Sequence, residues 1–244
     1  MVFNIYYLGQ QMNKDTNKFN LKKAFTLAEI MVTIAIVGAI AAITIPALNN
    51  SIQESQFNTG VQKAYSFVSQ AFLKLQSGDT TNNLGLYPNA NNDTVLRNQF
   101  CTVASCINTD TAANIFGING TIYKGYKAGN LTLPVNNWPV GSINASAALS
   151  NGYFVFFASM ASCNNYGVNA CAWVYVDING SNGPNMVGKD LYMFWITMNN
   201  SGSYSILPVG TSTDNWGHCI AGDTNASNGF GCTFTRLTNP NSLP

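Results

Sequence analysis

Charged side chains are scarce in this chain of 244 residues: only 9% are Asp, Glu, Lys or Arg, and His218 is the one histidine. So little charge excludes the clustered Lys and Arg surface with which proteins bind nucleic acid. His218 lies beside a cysteine in the run NWGHC, so we interpret it as structural. The chain also lacks the GxSxG and HExxH motifs of hydrolases, and we expect no enzyme activity.

One stretch lacks charge almost completely. From Phe25 to Ile45, 21 residues contain a single charged side chain, Glu29. As a helix this stretch would be about 31 Å long, which matches the hydrocarbon core of a bilayer. A charge inside hydrocarbon costs several kcal/mol unless another group neutralises it. Glu29 is therefore predicted to have a function that needs a partner.

Basic residues are unevenly distributed around the apolar run. Four of them precede it: Lys14, Lys18, Lys22 and Lys23. None follows until Lys63. The positive-inside rule then predicts a cytoplasmic N-terminus and an extracytoplasmic C-terminal part. We interpret residues 1–24 as a polar leader; without it, the chain's net charge of +1 becomes about −2.

A second helical pattern follows Pro46. Apolar residues recur there at steps of three and four, as is typical of an amphipathic helix: Val61, Ala64, Tyr65, Val68, Ala71, Phe72 and Leu75. We expect residues 25–48 to cross the membrane and residues 49–78 to continue as the amphipathic half of one helix, kinked at Pro46 because proline removes a backbone donor. Two separate helices are the alternative.

The six cysteines all follow the apolar run and form three close pairs. The predicted disulfides are Cys101 to Cys106, Cys163 to Cys171 and Cys219 to Cys232, because short loops close with little loss of entropy. Free buried thiols are the alternative. None of the pairs has the CxxC spacing of zinc or redox motifs, so an oxidising compartment is indicated.

The C-terminal part is rich in β-forming residues. Four short runs predict an antiparallel meander, namely residues 152–159, 171–178, 191–198 and 203–210. Residues 79–122 are interpreted as loop with at most a short helix, and the tail from Ser212 as loop. Residues 79–244 would form an extracytoplasmic globular domain, so the predicted fold class is α+β.

The segment DINGSNGPN offers the one candidate metal site. Asp177, Asn179 and Ser181 alternate oxygen ligands as a calcium loop does, and Asp190 could complete the set. The alternative is an Asx-rich turn joining two strands. We expect no other cofactor.

The run KKAFTLAEIMVTIAIVGAIAAITIPAL, residues 22–48, resembles the N-terminal signal of type IV pilins and of the pseudopilins of type II secretion systems. This chain and those proteins share a basic leader, a small residue, Phe-Thr-Leu-x-Glu and an apolar run. The segment DINGSNGPNMVGKDLYMFW, residues 177–195, also resembles a stretch found in some pilin-like proteins.

The resemblance implies a filament subunit. Prepilin peptidase would cut between Ala24 and Phe25 and methylate the new N-terminus, although the family usually has Gly where this chain has Ala24. Glu29 would be the fifth mature residue, and Pro46 would lie at the helix kink that the family shares. The implied partners are the same or related pilin subunits, the peptidase, an inner-membrane assembly platform and the lipid bilayer.

Other classes of protein fit parts of the sequence. An ordinary secretory signal would have a shorter apolar core and no internal Glu. A plain single-pass anchor explains the length of the apolar run but not Phe-Thr-Leu-x-Glu behind two lysines. A monomeric, membrane-anchored binding module, with or without bound calcium, is the alternative function, and an anchored enzyme is a weaker one.

Overall fold

The structure is a computed structural model. It describes residues 25–78, 93–110, 122–124, 132–134, 145–180, 182–211, 217–220 and 228–243. The chain divides into two compact units, Met1–Asn49 and Asn50–Pro244. The predicted leader, residues 1–24, lies outside the described residues.

The first element is a single long helix, α1, which spans Leu27–Gly78 with Pro46 inside it. The structure therefore has one continuous helix here, and not the two separate helices of the alternative. Its first part, which belongs to the N-terminal unit, is apolar with almost every side chain exposed. Whether α1 bends at Pro46 stays a prediction.

The second unit contains a six-stranded antiparallel sheet and short helices. Its elements are α2 (Asp93–Val103), β1 (Cys106–Asp110), β2 (Ile122–Lys124), β3 (Thr132–Pro134), β4 (Ala145–Leu149), β5 (Phe154–Asn165), β6 (Asn169–Asp177), β7 (Leu191–Met198), β8 (Tyr204–Pro208) and α3 (Cys232–Thr238). A 3₁₀ turn at Pro240–Ser242 follows. The strand order in the large sheet is β1-β4-β5-β6-β7-β8, while β2 and β3 pair separately.

The four predicted strands form the centre and one edge of this sheet. Strands β5 to β8 pair in sequence order, with Val174 opposite Phe157 on one side and Phe194 on the other. Such consecutive antiparallel pairing is the predicted meander. The α+β prediction, a long apolar helix together with an antiparallel sheet, is confirmed.

Both faces of the sheet are buried because its strands carry apolar residues at odd and even positions alike. One face contributes Phe157, Val174 and Phe194 to a core that it shares with α1 and α2. The other contributes Trp173, Trp195 and further side chains to a second core. The sheet is therefore the middle layer of the second unit.

The C-terminal half of α1 packs on the first face through the predicted stripe. Six of the seven predicted positions are buried: Val61, Ala64, Val68, Ala71, Phe72 and Leu75. Tyr65, the seventh, is partly buried, and its ring stacks on Phe194 with centroids 5.9 Å apart. Burying several large apolar side chains, each worth about 1.5–3 kcal/mol, attaches this half of the helix to the sheet.

Some elements differ from the prediction. Residues 79–122 contain the short helix that the prediction allowed, α2, but also strand β1, and the tail that we expected to be loop contains helix α3. Strand β4, ASAAL, was not predicted at all. These elements are short and rich in Ala, Thr or Asn, whose intrinsic preferences are too weak to identify them. Tertiary contacts stabilise them, such as the buried Asp93 of α2, whose carboxylate accepts the Ser159 N–H at 2.6 Å.

A crossing of two backbone segments gives a testable prediction. Gly210 has φ +97°, and a Cβ there would lie 2.1 Å from the carbonyl oxygen of Gly231. We expect Gly210→Ala to lower the free energy of unfolding by about 2–4 kcal/mol, since it adds a backbone clash to strain. Gly202→Ala is the matched control, because Gly202 has φ +82° but open space around it. Urea unfolding of the full chain in detergent measures both, and equal destabilisation would refute the close crossing.

Candidate functional site

The N-terminal part of α1 has the surface of a membrane-spanning or helix-packing segment. Phe25, Leu27 and Ile43 are each at least 77% exposed. One helix in the described part of the chain, α1, is long and apolar enough to cross a membrane. In the most apolar stretch of this helix, no residue is buried within the chain. Without a bilayer or another chain, this surface would face water.

Hydroxyl groups in this part of α1 are satisfied inside the helix. Thr33 Oγ1 donates to the Ile30 carbonyl at 2.9 Å, and Thr44 Oγ1 donates to the Ile40 carbonyl at 3.0 Å. In lipid no water can satisfy a polar group, so internal hydrogen bonds of this kind are required. Neither threonine therefore needs an outside partner.

Glu29 closes a capping box at the start of α1. Its Oε2 accepts the Thr26 backbone N–H at 2.8 Å and the Thr26 hydroxyl at 2.9 Å. In return Thr26 Oγ1 accepts the Glu29 N–H at 3.2 Å. These bonds satisfy orphan donors of the first helical turn, and the carboxylate also complements the positive end of the helix dipole.

Among the described residues, no cation forms an ion pair with Glu29. Residues 25–49 contain no Lys or Arg. The two hydrogen bonds that Oε2 accepts orient the carboxylate beside Thr26, next to the position where cleavage after Ala24 would create an α-amine. The box was readable from Thr26-x-x-Glu29, a signature that our sequence prediction did not use. Ala24 lies outside the described residues.

The second unit contains three disulfides, and they join the predicted pairs. The Cys101 to Cys106 bond links the end of α2 to the start of β1. The Cys163 to Cys171 bond links β5 to β6 beside their turn, and the Cys219 to Cys232 bond holds the start of α3. No described cysteine is free. Each bond restricts the unfolded chain locally, which stabilises the folded state. Because disulfides persist in oxidising environments, three such bonds indicate an oxidising compartment.

The structure brings two of the predicted metal ligands together, because the Asn179 side chain hydrogen-bonds to Asp190. Asp177 accepts the Asn179 N–H at 3.0 Å. The two carboxylate oxygens of Asp190 each accept a backbone N–H at 2.6 Å, from Asn185 and Met186. Ser181 lies outside the described residues. Such bonds are typical of an Asx-rich turn.

Burial raises the pKa of Asp190, and the hydrogen bonds from Met186 and Asn185 offset part of that effect. In the part of the chain that the structure describes, no three His, Cys, Asp or Glu side chains form a cluster able to hold a metal ion. The observed contacts explain both carboxylates of the loop without a metal, and calcium binding stays a prediction.

Known proteins share part of this sequence. The type IV major fimbrial protein FimA of Dichelobacter nodosus is 42% identical over 62 residues, which are 25% of this chain and 39% of that protein. Over this stretch the chain is similar to type IV pilins, which supports assigning it to that family. FimA of Dichelobacter nodosus strain VCS1703A is 40% identical over 62 residues, 25% of this chain and 38% of its own. A fimbrial protein of the same organism is 42% identical over 60 residues, with the same two shares.

The similarity to these type IV pilins is partial. The matched stretch spans about two fifths of the length of the curated relatives. No family model matches the chain. The solved structures contain no significant match to it either. The similarity therefore covers a quarter of the chain, and the rest must be interpreted from its own geometry.

Proposed function

We propose that the chain is a structural subunit of a type IV pilus or a type II secretion pseudopilus, and that it polymerises through the N-terminal part of α1. The exposed apolar helix is the observation that carries this proposal. Partial identity to fimbrial proteins supports it. No catalytic activity is indicated by those relatives.

Processing would precede assembly. Prepilin peptidase removes residues 1–24 and leaves methylated Phe25 as the N-terminus, which is 80% exposed and ready to meet the enzyme or a neighbour. The helix is anchored in the inner membrane with its N-terminus cytoplasmic, and the disulfide-containing unit lies outside. An assembly platform in that membrane then transfers the subunit from the bilayer into the filament.

Assembly replaces lipid contacts of α1 with contacts to other subunits. In the bilayer the Glu29 carboxylate and the Phe25 amine are both charged and both costly. Pairing the carboxylate of one subunit with the amine of the next neutralises two charges at once, which favours the filament over free subunits. The proposal covers pilus and pseudopilus alike because both use the same helix.

Cleavage after Ala24 is the first measurable step. When the chain is expressed with a prepilin peptidase, we expect conversion to a product that begins at Phe25. Ala24→Gly should be processed at least as well, because it restores the residue usual in the family. Ala24→Leu should remain at full length, since a branched side chain does not fit a position limited to small residues. Immunoblotting of membranes separates the two forms, and efficient processing of Ala24→Leu would count against a prepilin site.

A further inference from the structure

A groove in the second unit has no role in the proposed assembly. It lies between α1 and the loop that follows β6, and its volume is about 680 Å³. Gln56 and Lys63 contribute from the helix, and Asn179, Pro184 and Lys189 from the loop. A volume of roughly 300–1,000 Å³ suits a small ligand. All lining residues belong to the second unit.

The charges on the groove wall are positive. Among the described residues, Lys63 and Lys189 line it and no carboxylate does. Among the described residues no carboxylate forms an ion pair with Lys63. Lys189 shares Glu54 with Arg236, at 3.4 Å and 2.9 Å, so one carboxylate serves two cations. The wall therefore attracts an anion.

Uncharged polar and apolar groups complete the wall. Asn179 also lines the groove, but its Oδ1 is buried and its Nδ2 donates to the Gly183 carbonyl at 3.0 Å, so its side chain shapes the wall without binding a ligand. Gln56 and the Tyr153 side chain are polar groups of the wall that can hydrogen-bond to a ligand. Pro184 offers an apolar surface on which the C–H face of a sugar ring could pack. A ligand that carries both carboxylate and hydroxyl groups satisfies the two lysines and these polar groups.

We propose that this groove binds an acidic saccharide. Lys63 and Lys189 hold a carboxylate through charge-assisted hydrogen bonds, and the side chains of Gln56 and Tyr153 bind ring hydroxyls. An inorganic anion would use only the lysines, and a neutral sugar only the Gln56 amide and the Tyr153 hydroxyl. Selectivity for a molecule with both features is the signature of the site.

The test uses isothermal titration calorimetry on the full chain in a neutral detergent, unassembled, so the result does not depend on filament formation. Digalacturonate is the probe, and digalactose and sodium acetate are the comparison ligands. We expect digalacturonate to bind about tenfold or more tightly than either, since one charge-assisted bond corresponds to roughly that factor. Equal binding of digalactose or of acetate, or no binding of digalacturonate at millimolar concentration, would overturn the proposal.

Two lysines on one helix face provide matched variants. Lys63 and Lys74 are eleven residues apart, about three helical turns, and both are exposed, but only Lys63 lines the groove. We expect Lys63→Glu to weaken digalacturonate binding about tenfold or more and Lys74→Glu to leave it unchanged. Gln56→Ala should weaken the binding of digalacturonate without affecting the binding of acetate. Equal effects of the two lysine variants would show that general charge, not the groove, attracts the probe.

Discussion

Glu29→Leu is expected to insert in the membrane and to be processed, yet to enter filaments at least about tenfold less than the unaltered chain when the two are expressed together. Leu is more apolar than Glu, so insertion itself should improve. The loss would arise because the amine of the neighbouring Phe25 is left unpaired in an apolar environment, at a cost of several kcal/mol. Quantitative immunoblotting of sheared filaments and of membranes measures the two pools.

Glu29→Gln separates the charge of Glu29 from its capping role. Glutamine can close the same box with Thr26, because the N–H that Glu29 Oε2 accepts can equally bind an amide oxygen. We expect Glu29→Gln to assemble as poorly as Glu29→Leu. Thr33→Val is the control for a polar group elsewhere in the run, since the Thr33 hydroxyl bonds only to Ile30. Normal assembly of Glu29→Gln would mean that helix capping, not charge pairing, is what assembly needs.

Arg236→Met is expected to destabilise the second unit by about 3 kcal/mol. Arg236 is fully buried, and its Nε donates to the Gly188 carbonyl at 2.6 Å while Nη1 donates to Asn58 Oδ1 at 2.7 Å. Methionine keeps the apolar stem but leaves those buried acceptors unsatisfied, at about 1–3 kcal/mol each before relaxation. Thermal unfolding of the full chain in detergent gives the shift.

Glu54→Gln is the companion variant for Arg236→Met. Glu54 pairs with Arg236 at 2.9 Å, but its side chain is 43% exposed, so water screens the pair. We expect Glu54→Gln to cost less than about 1 kcal/mol. If Glu54→Gln lowered the free energy of unfolding more than Arg236→Met did, the ion pair would be what attaches α3 to α1. The hydrogen bonds from Arg236 to Gly188 and Asn58 would then matter less.

The elements that could be predicted from sequence are those with strong periodic patterns. The stripe from Val61 to Leu75 repeats for four turns, and the run from Leu191 to Met198 is apolar except for Thr197, so each indicates one structure. Cysteine pairing was predictable because the partners are close in sequence. In these cases the deciding interactions are local, or they depend only on which face is apolar.

The rest of the fold depends on contacts between distant residues. Helix α3, CTFTRLT, is rich in Thr, a weak helix former. It is stabilised by two distant contacts: Arg236 Nε donates to the Gly188 carbonyl, and Thr233 Oγ1 accepts the Met193 N–H at 3.2 Å. The groove is formed by Lys63 and Lys189, which are 126 positions apart. No local pattern indicates that such residues meet.

The role of Glu29 shows a different limit. Its isolation in an apolar run indicated a function, and the family resemblance implied a partner, but the prediction did not use the Thr26-x-x-Glu29 signature, and the structure shows the bonds that this signature forms. Capping and charge pairing use the same carboxylate. The hydrogen bonds to Thr26 show capping as a role of its own, and this is why the two roles need separate variants.

Mass spectrometry of the N-terminal peptide from sheared filaments tests the central claim most directly. If the chain is a processed subunit that polymerises through α1, the filament fraction contains a protein that begins at N-methylated Phe25 and lacks residues 1–24. Recovery of the chain only from membranes, with Met1 still in place, would contradict the account and favour a monomeric anchored protein.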